Sequence, residues 1–251
     1  MTAIGLMGAM PEEMDQIVAM MDQREEIMHG NRVYHKGLLY GMPVVAVFSR
    51  WGKVAAASTA TSLIEVFGVN KIVFTGVAGG IAPDLSVGDV VIGERLVQHD
   101  MDARPLMARY EVPLTSRVFF EADKQLMADL QDAAREMIKQ EQDFIQTLIR
   151  EGLTQPKRWV GDIASGDQFI GSTTQKEEIA SNLPSVLCAE MEGAAVAQVC
   201  HDFDVPLGIV RVISDTADES SHAMAMKFVD LHAAHYLQLL VHHYFVLQFN
   251  N

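Results

Sequence analysis

Three short apolar runs, residues 3–7, 71–77 and 207–213, stop abruptly at Gly8, at the Ala78-Gly79-Gly80 corner and at Ser214-Asp215. Continuous apolarity over so few positions, rich in β-branched residues, marks strands buried on both faces. Further strands are predicted at 33–39, 44–49, 87–97, 159–164 and 186–189, several bounded by Gly or Pro. Between them the period changes. Apolar residues recur at three- and four-residue spacing over 11–21, 54–67, 121–150, 174–181, 191–203 and 224–245, the mark of helices with one buried stripe.

Strands alternating with helices predict a three-layer α/β/α fold with a central mixed sheet covered on both faces. No linker, low-complexity tract or repeat divides the chain, so residues 1–251 are expected to form a single domain, with the polar stretch 135–158 as a surface elaboration. Ligands of such sheets sit beyond the carboxyl ends of the strands. The loops after Met7, Ser49, Val77, Ala164, Ala189 and Ile213 are therefore where the chemistry is sought.

Composition narrows the partners. Of 251 residues 49% are hydrophobic, enough for a sizeable core. Lys and Arg number 19 against 33 Asp and Glu, a formal charge of −14 that repels phosphate backbones and anionic lipid. Nucleic acid and membrane are not expected as partners; a neutral or cationic small molecule suits that field. The opening residues lack the basic stretch of a signal peptide and no later run is long enough to span a bilayer, so the cytoplasm is the expected compartment. Cys188 and Cys200 lie within apolar patterns and read as buried free thiols.

Several strand ends carry candidate groups. After the first strand, Gly8-Ala9-Met10-Pro11-Glu12-Glu13 turns into a helix whose first turn favours acids, so capping alone accounts for one of the two carboxylates. The Ala78-Gly79-Gly80 corner matches neither nucleotide-phosphate motif and reads as backbone beside a ligand. In Ser165-Gly166-Asp167-Gln168-Phe169-Ile170, Phe169 either stacks on a planar base or plugs the core. Glu190 and Glu192 flank Met191 where a strand meets a helix rich in small residues. Glu192 there would stay ionised and could accept both hydroxyls of a ribose, while capping is the plainer role for either acid. Asp215 ends a buried strand beside Ser214, which could orient it; a weakly polar pocket disfavours its ionised form and makes it a candidate general acid, the alternative being a turn-forming Asp. Arg211 is read as a paired, structural or site-lining charge whose partner the sequence does not name. His99, His201 and His222 lack ligand spacing, and neither metal nor cofactor is expected.

Taken in order, GAMPEE (8–13), WGKVAA (51–56), TGVAGGIAP (75–83), SGDQFI (165–170), AEMEGAA (189–195) and RVISDTAD (211–218) resemble the motifs of the methylthioadenosine/S-adenosylhomocysteine nucleosidases, within the nucleoside phosphorylase superfamily. The resemblance runs from residue 3 to about 222. It implies a nucleoside phosphorylase-like fold, usually a homodimer, with a loop around 103–113 closing on the partner subunit's site. It implies that Glu13 activates the attacking water, that Glu192 holds the ribose hydroxyls and that Asp215 protonates adenine N7. Met191 would lie under the ribose, Phe169 and Ile170 would clamp the adenine, and Met10, Ala78, Gly79 and Ser214 would complete the substrate contacts. Val77 stands where many members have Ser, Trp51 replaces a typical Ile, and residues 223–228 depart from the usual aromatic register.

The reaction so implied is hydrolysis of the N-glycosidic bond of methylthioadenosine and S-adenosylhomocysteine. Adenine leaves readily only when protonated, and general acid and base groups are each worth roughly 10²- to 10⁴-fold. A phosphorolytic enzyme on the same fold is the rival expectation; carboxylates at the first glycine turn, with no Arg, should repel phosphate. A nucleoside-binding protein without catalysis is the other, and three acids at the right motifs argue against it.

Overall fold

The structure is a computed structural model that describes residues 2–250, the side chains of Glu12, Glu13 and Asn250 excepted. Strand β1 (Ile4–Gly8) is followed by α1 (Pro11–Ala19) and then by an antiparallel run of β2 (Asp22–His29), β3 (Arg32–Leu39) and β4 (Met42–Phe48). Helix α2 (Lys53–Glu65) leads to β5 (Lys71–Gly80), β6 (Val90–Gln98) and the short β7 (Phe119–Glu121). The remainder alternates: α3 (Lys124–Gln140), α4 (Gln142–Arg150), β8 (Arg158–Ser165), α5 (Thr173–Asn182), β9 (Val186–Glu190), α6 (Gly193–Asp202) and β10 (Leu207–Asp215). Helix α7 (Ser221–Phe228) passes through a π-helical turn (Val229–Ala233) into α8 (Ala234–Asn250).

All the strands belong to one mixed sheet in the order β2-β3-β4-β1-β5-β9-β8-β6-β10, with β7 beside β6. Because β10 also pairs with β5, five of them, β5, β9, β8, β6 and β10, close on one another. The parallel pairs are β1 with β4 and β5, β5 with β10, and β8 with β6 and β9. The expected mixed α/β sheet is present, and its closure brings the carboxyl ends of β5, β8 and β10 towards one rim.

Side-chain alternation explains the two covered faces. Leu6, Val44, Ala46, Val73, Val210 and Val212 point to one face and pack with α1, α3, α4 and α8; Met7, Val45, Val47, Phe74, Ile209 and Ile213 point to the other and pack with α2 and α6. Neighbouring residues of one strand thus feed different cores. Each fully buried Leu, Ile or Phe contributes roughly 1.5–3 kcal/mol. The helices of the second face are built of small residues, Ala56 and Ala60 against Ala194 and Ala197.

Four expectations need correction. Strand β2 lies outside the elements the pattern predicts: its sequence, Asp-Gln-Arg-Glu-Glu-Ile-Met-His, is almost wholly exposed, as befits a charged sheet edge. The predicted helix 121–150 is two helices, because Glu141 adopts φ −90° and ψ 50° and ends α3. The stretch 135–158 is more than an elaboration, since Met137, Ile145 and Leu148 are buried in the main core. Finally α6 begins at Gly193 rather than Met191; Glu192, at φ −134° and ψ −40°, stands just outside the helix.

Candidate active site

A cavity of about 440 Å³ opens beyond the carboxyl ends of β5, β9 and β10, within the usual range for small-molecule sites. Its walls bring together Met10, Ala78, Gly79, Phe169, Met191, Glu192, Ser214 and Asp215, drawn from separate parts of the chain. Ile170 lines an adjoining recess of about 30 Å³, shared with Gly79, Phe169, Met191 and Asp215. Glu13 lies in the first turn of α1, three residues after the cavity-lining Met10, but its side chain is outside the described residues. Trp51, Ala225, Met226 and Val229 complete the outer wall, with Trp51 64% exposed at the opening.

Asp215 ends β10 and is 2% exposed. Its Oδ2 accepts from Ser214 Oγ at 2.8 Å and its Oδ1 from the Ala217 N–H at 2.9 Å, so each oxygen has a fixed donor. The turn that follows is tied down by Asp218, which accepts from Ser220 and Thr216 hydroxyls. Those hydroxyl bonds hold the Asp218 carboxyl down at about 2. The absence of a side chain at Gly79 is what admits Asp215: a Cβ there would lie 2.9 Å from Asp215 Oδ1.

Glu192 is 5% exposed and accepts from the Gly52 N–H at 2.7 Å. Gly52 sits at φ +88°, and a Cβ on it would come within 3.0 Å of Asp167 Oδ1, two reasons for glycine at this corner. The N-terminus of α2 thus aims an otherwise unsatisfied backbone donor at the carboxylate.

Glu190 has a different task. It accepts from Arg211 Nη2 at 2.7 Å and Nε at 3.3 Å, from the Ser165 hydroxyl, and from the Gly193 N–H at 2.9 Å. Arg211, 1% exposed, also donates to the Phe74 carbonyl at 3.2 Å and lies 4.1 Å over the Phe74 ring. The partner that the sequence left unnamed for Arg211 is Glu190, and the capping role open to either acid falls to Glu190. At the other wall Phe169, 49% exposed, meets the His222 ring edge-on at 6.3 Å between centroids.

Gly52 and Ser165 stand in the sequence motifs WGKVAA and SGDQFI, but the sequence alone assigns neither a role. Backbone donors carry no residue signature; the close succession of Trp51, Gly52 and Lys53 at a helix start was the available signal.

Fold and cavity together define a mixed α/β protein with a small-molecule site at the ends of its strands. The chain belongs to the phosphorylase superfamily, whose family model matches residues 3–245. It is 36% identical to the aminodeoxyfutalosine nucleosidase of Helicobacter pylori strain 26695 over 90% of this chain and 91% of that one. It is 33% identical to the 5′-methylthioadenosine/S-adenosylhomocysteine nucleosidase of Chromohalobacter salexigens, covering 94% and 93%. Among solved structures, that of the 5′-methylthioadenosine/S-adenosylhomocysteine nucleosidase of Neisseria meningitidis with methylthio-immucillin-A superposes with a TM-score of 0.85 at 32% identity, covering 98% and 99%. Within the superfamily the chain therefore stands with the nucleosidases, hydrolases of N-glycosidic bonds. Among the described residues no helix is long and apolar enough to cross a membrane.

Proposed function

We propose that the protein hydrolyses methylthioadenosine and S-adenosylhomocysteine to adenine and the corresponding thioribose, as a cytoplasmic homodimer. Asp215 donates a proton to adenine N7 as the bond breaks. Glu192 holds the ribose hydroxyls and stabilises the positive charge that grows on the sugar. Glu13 takes a proton from the attacking water. The recess walled by Gly79, Phe169, Ile170 and Asp215 suits the flat base. The outer wall of Trp51, Ala225, Met226 and Val229 suits an apolar thioether.

One observation carries the reading: Glu192 and Asp215 share a cavity yet are held by separate frameworks, the first by Gly52 and the second by Ser214 and Ala217. Water rather than phosphate is the second substrate. Of the described residues lining the cavity, Arg211 is the one with a guanidinium or ammonium group, and its Nε and Nη2 are given to Glu190. A free phosphate would meet carboxylates without a cation.

A second substrate reading, aminodeoxyfutalosine, is favoured by relatives of 36% and 37% identity that bear that activity in their names and by the exposed Trp51 at the mouth. Release of the free base, adenine from methylthioadenosine, S-adenosylhomocysteine, aminodeoxyfutalosine and adenosine and hypoxanthine from inosine, each with and without phosphate, tests both. Release that needs phosphate and yields a ribose 1-phosphate overturns the hydrolase. Turnover of aminodeoxyfutalosine alone overturns the thioether assignment. Glu13→Gln should abolish turnover without unfolding the protein, and near-wild-type kcat in that variant removes Glu13 from the mechanism.

A further inference from the structure

Lys53 opens α2 one residue after Gly52, and the mechanism above makes no use of it. Its Nζ donates to Asp100 Oδ1 at 2.6 Å and to Gln98 Oε1 at 3.1 Å. The other oxygen of Asp100 accepts from the Asp167 N–H at 2.9 Å, and Asp167 Oδ1 accepts in turn from the Lys53 N–H at 2.8 Å. The three residues form a closed ring of hydrogen bonds between the start of α2, the end of β6 and the loop after β8. Gln98 extends it to α6 by donating to Gln198 at 2.9 Å.

The ring joins two structures that face opposite parts of a bound nucleoside. Gly52 carries the N–H that fixes Glu192, the sugar-side carboxylate. Phe169, two residues beyond Asp167, walls the base recess. The Lys53 and Asp100 side chains are only 16% and 17% exposed, so their attraction is far less screened than that of a surface pair. Burial works to raise the Asp100 carboxyl, but the bonds from Lys53 and from the Asp167 N–H outweigh it and hold it below the usual carboxylate range.

Resting on the nucleosidase reading, we propose that Lys53, through Asp100 and Asp167, is a positioning residue that locks the Glu192-bearing corner to the Phe169 loop and so sets the distance between sugar recognition and base recognition. The latch acts on catalysis through Glu192 and touches no reacting atom.

Lys53→Met and Lys53→Arg, compared with wild type, test this on methylthioadenosine and its 2′-deoxy analogue. Displacement of a positioned group by about 1 Å is enough for losses of about 100-fold. Lys53→Met is expected to lower kcat/KM for methylthioadenosine by that order while shrinking the penalty for losing the 2′-hydroxyl, since Glu192 no longer meets it; Lys53→Arg restores both. Equal losses on the two substrates, or wild-type kcat/KM in Lys53→Met, overturn the proposal. Native-state hydrogen exchange gives a readout independent of any substrate: the Gly52 and Asp167 amides should exchange faster in Lys53→Met and at the wild-type rate in Lys53→Arg. Unchanged exchange in Lys53→Met sinks the latch even if the enzyme is active. A wild-type protein that releases no adenine sinks the substrate reading and leaves the latch to the exchange experiment.

Discussion

Arg211 directs two of its nitrogens, Nη2 at 2.7 Å and Nε at 3.3 Å, at the same oxygen of Glu190, and both side chains are almost wholly out of water. The pair ties β10, which delivers Asp215, to the end of β9, which delivers Glu192. Removing one partner strands a buried charge, a loss of about 3–5 kcal/mol. Arg211→Met should therefore lower the urea midpoint sharply, and Arg211→Met combined with Glu190→Gln should recover part of the loss. Equal midpoints for wild type and Arg211→Met would show that the charge is hydrated rather than buried.

Gly79 and Asp215 give a second expectation. A methyl group on Gly79 meets Asp215 Oδ1 at 2.9 Å and Ala217 Cβ at 3.3 Å, so the carboxyl has to turn aside. Gly79→Ala should cut kcat and also lower the melting temperature, because turning the carboxyl aside breaks its buried hydrogen bonds to Ser214 and Ala217. Asp215→Asn, which keeps the shape and loses the proton, should cut kcat by about 10²- to 10⁴-fold, the usual worth of a general acid. Full activity in Asp215→Asn removes it as the acid.

Acid stability follows from His99. The ring is buried, its Nε2 finds no hydrogen-bond partner among the described residues, and burial lowers its proton affinity below the ordinary 6.5. The unfolded chain therefore binds this proton first, and stability falls as pH drops below about 6.5 towards the folded-state value. His35 and His242, lowered chiefly by burial, act in the same direction. The melting temperature should decline between pH 7.5 and 5.5, with a shallower slope in His99→Phe; a slope identical to wild type would acquit His99. Asp218 acts in a lower window, its contribution present above the unfolded Asp value and lost as pH falls towards about 2.

Cys188 and Cys200 are buried, and desolvation pushes both thiols up, Cys200 to about 12. Thiolate is the reactive form. A thiol-specific reagent should label neither residue in the native protein at pH 8 and both in denaturant; rapid labelling without unfolding contradicts the burial.

Much of this was legible in the chain because the cues were local. Strands β1, β5 and β10 are continuous apolar runs, and the acids and aromatic at strand ends, Glu192, Asp215 and Phe169, fall where α/β sheets receive ligands. The edge strand β2 escaped because its residues match solvent on both faces, although the two-residue turn Gly30-Asn31, with φ of 54° and 57°, flanked by Met28 and Val33, was a hairpin cue. The pairing of β10 with β5 joins segments more than a hundred residues apart, beyond any periodicity. The hold of Gly52 on Glu192 and the match of Arg211 to Glu190 are likewise facts of three-dimensional approach.

The π-helical turn at Val229–Ala233 separates two duties of one continuous helical rod. Before it, His222, Ala225 and Met226 face the cavity; after it, Leu237, Leu240 and Tyr244 are committed to the core. A π turn holds one residue more than an α turn, and each residue turns a helix by about 100°. Gain or loss of a single residue here would rotate the cavity-facing stretch by that angle while the core-bound half stayed in register. Such a change would also swing Phe228, which the main core buries, so the register of this turn couples the cavity wall to the packing beneath it.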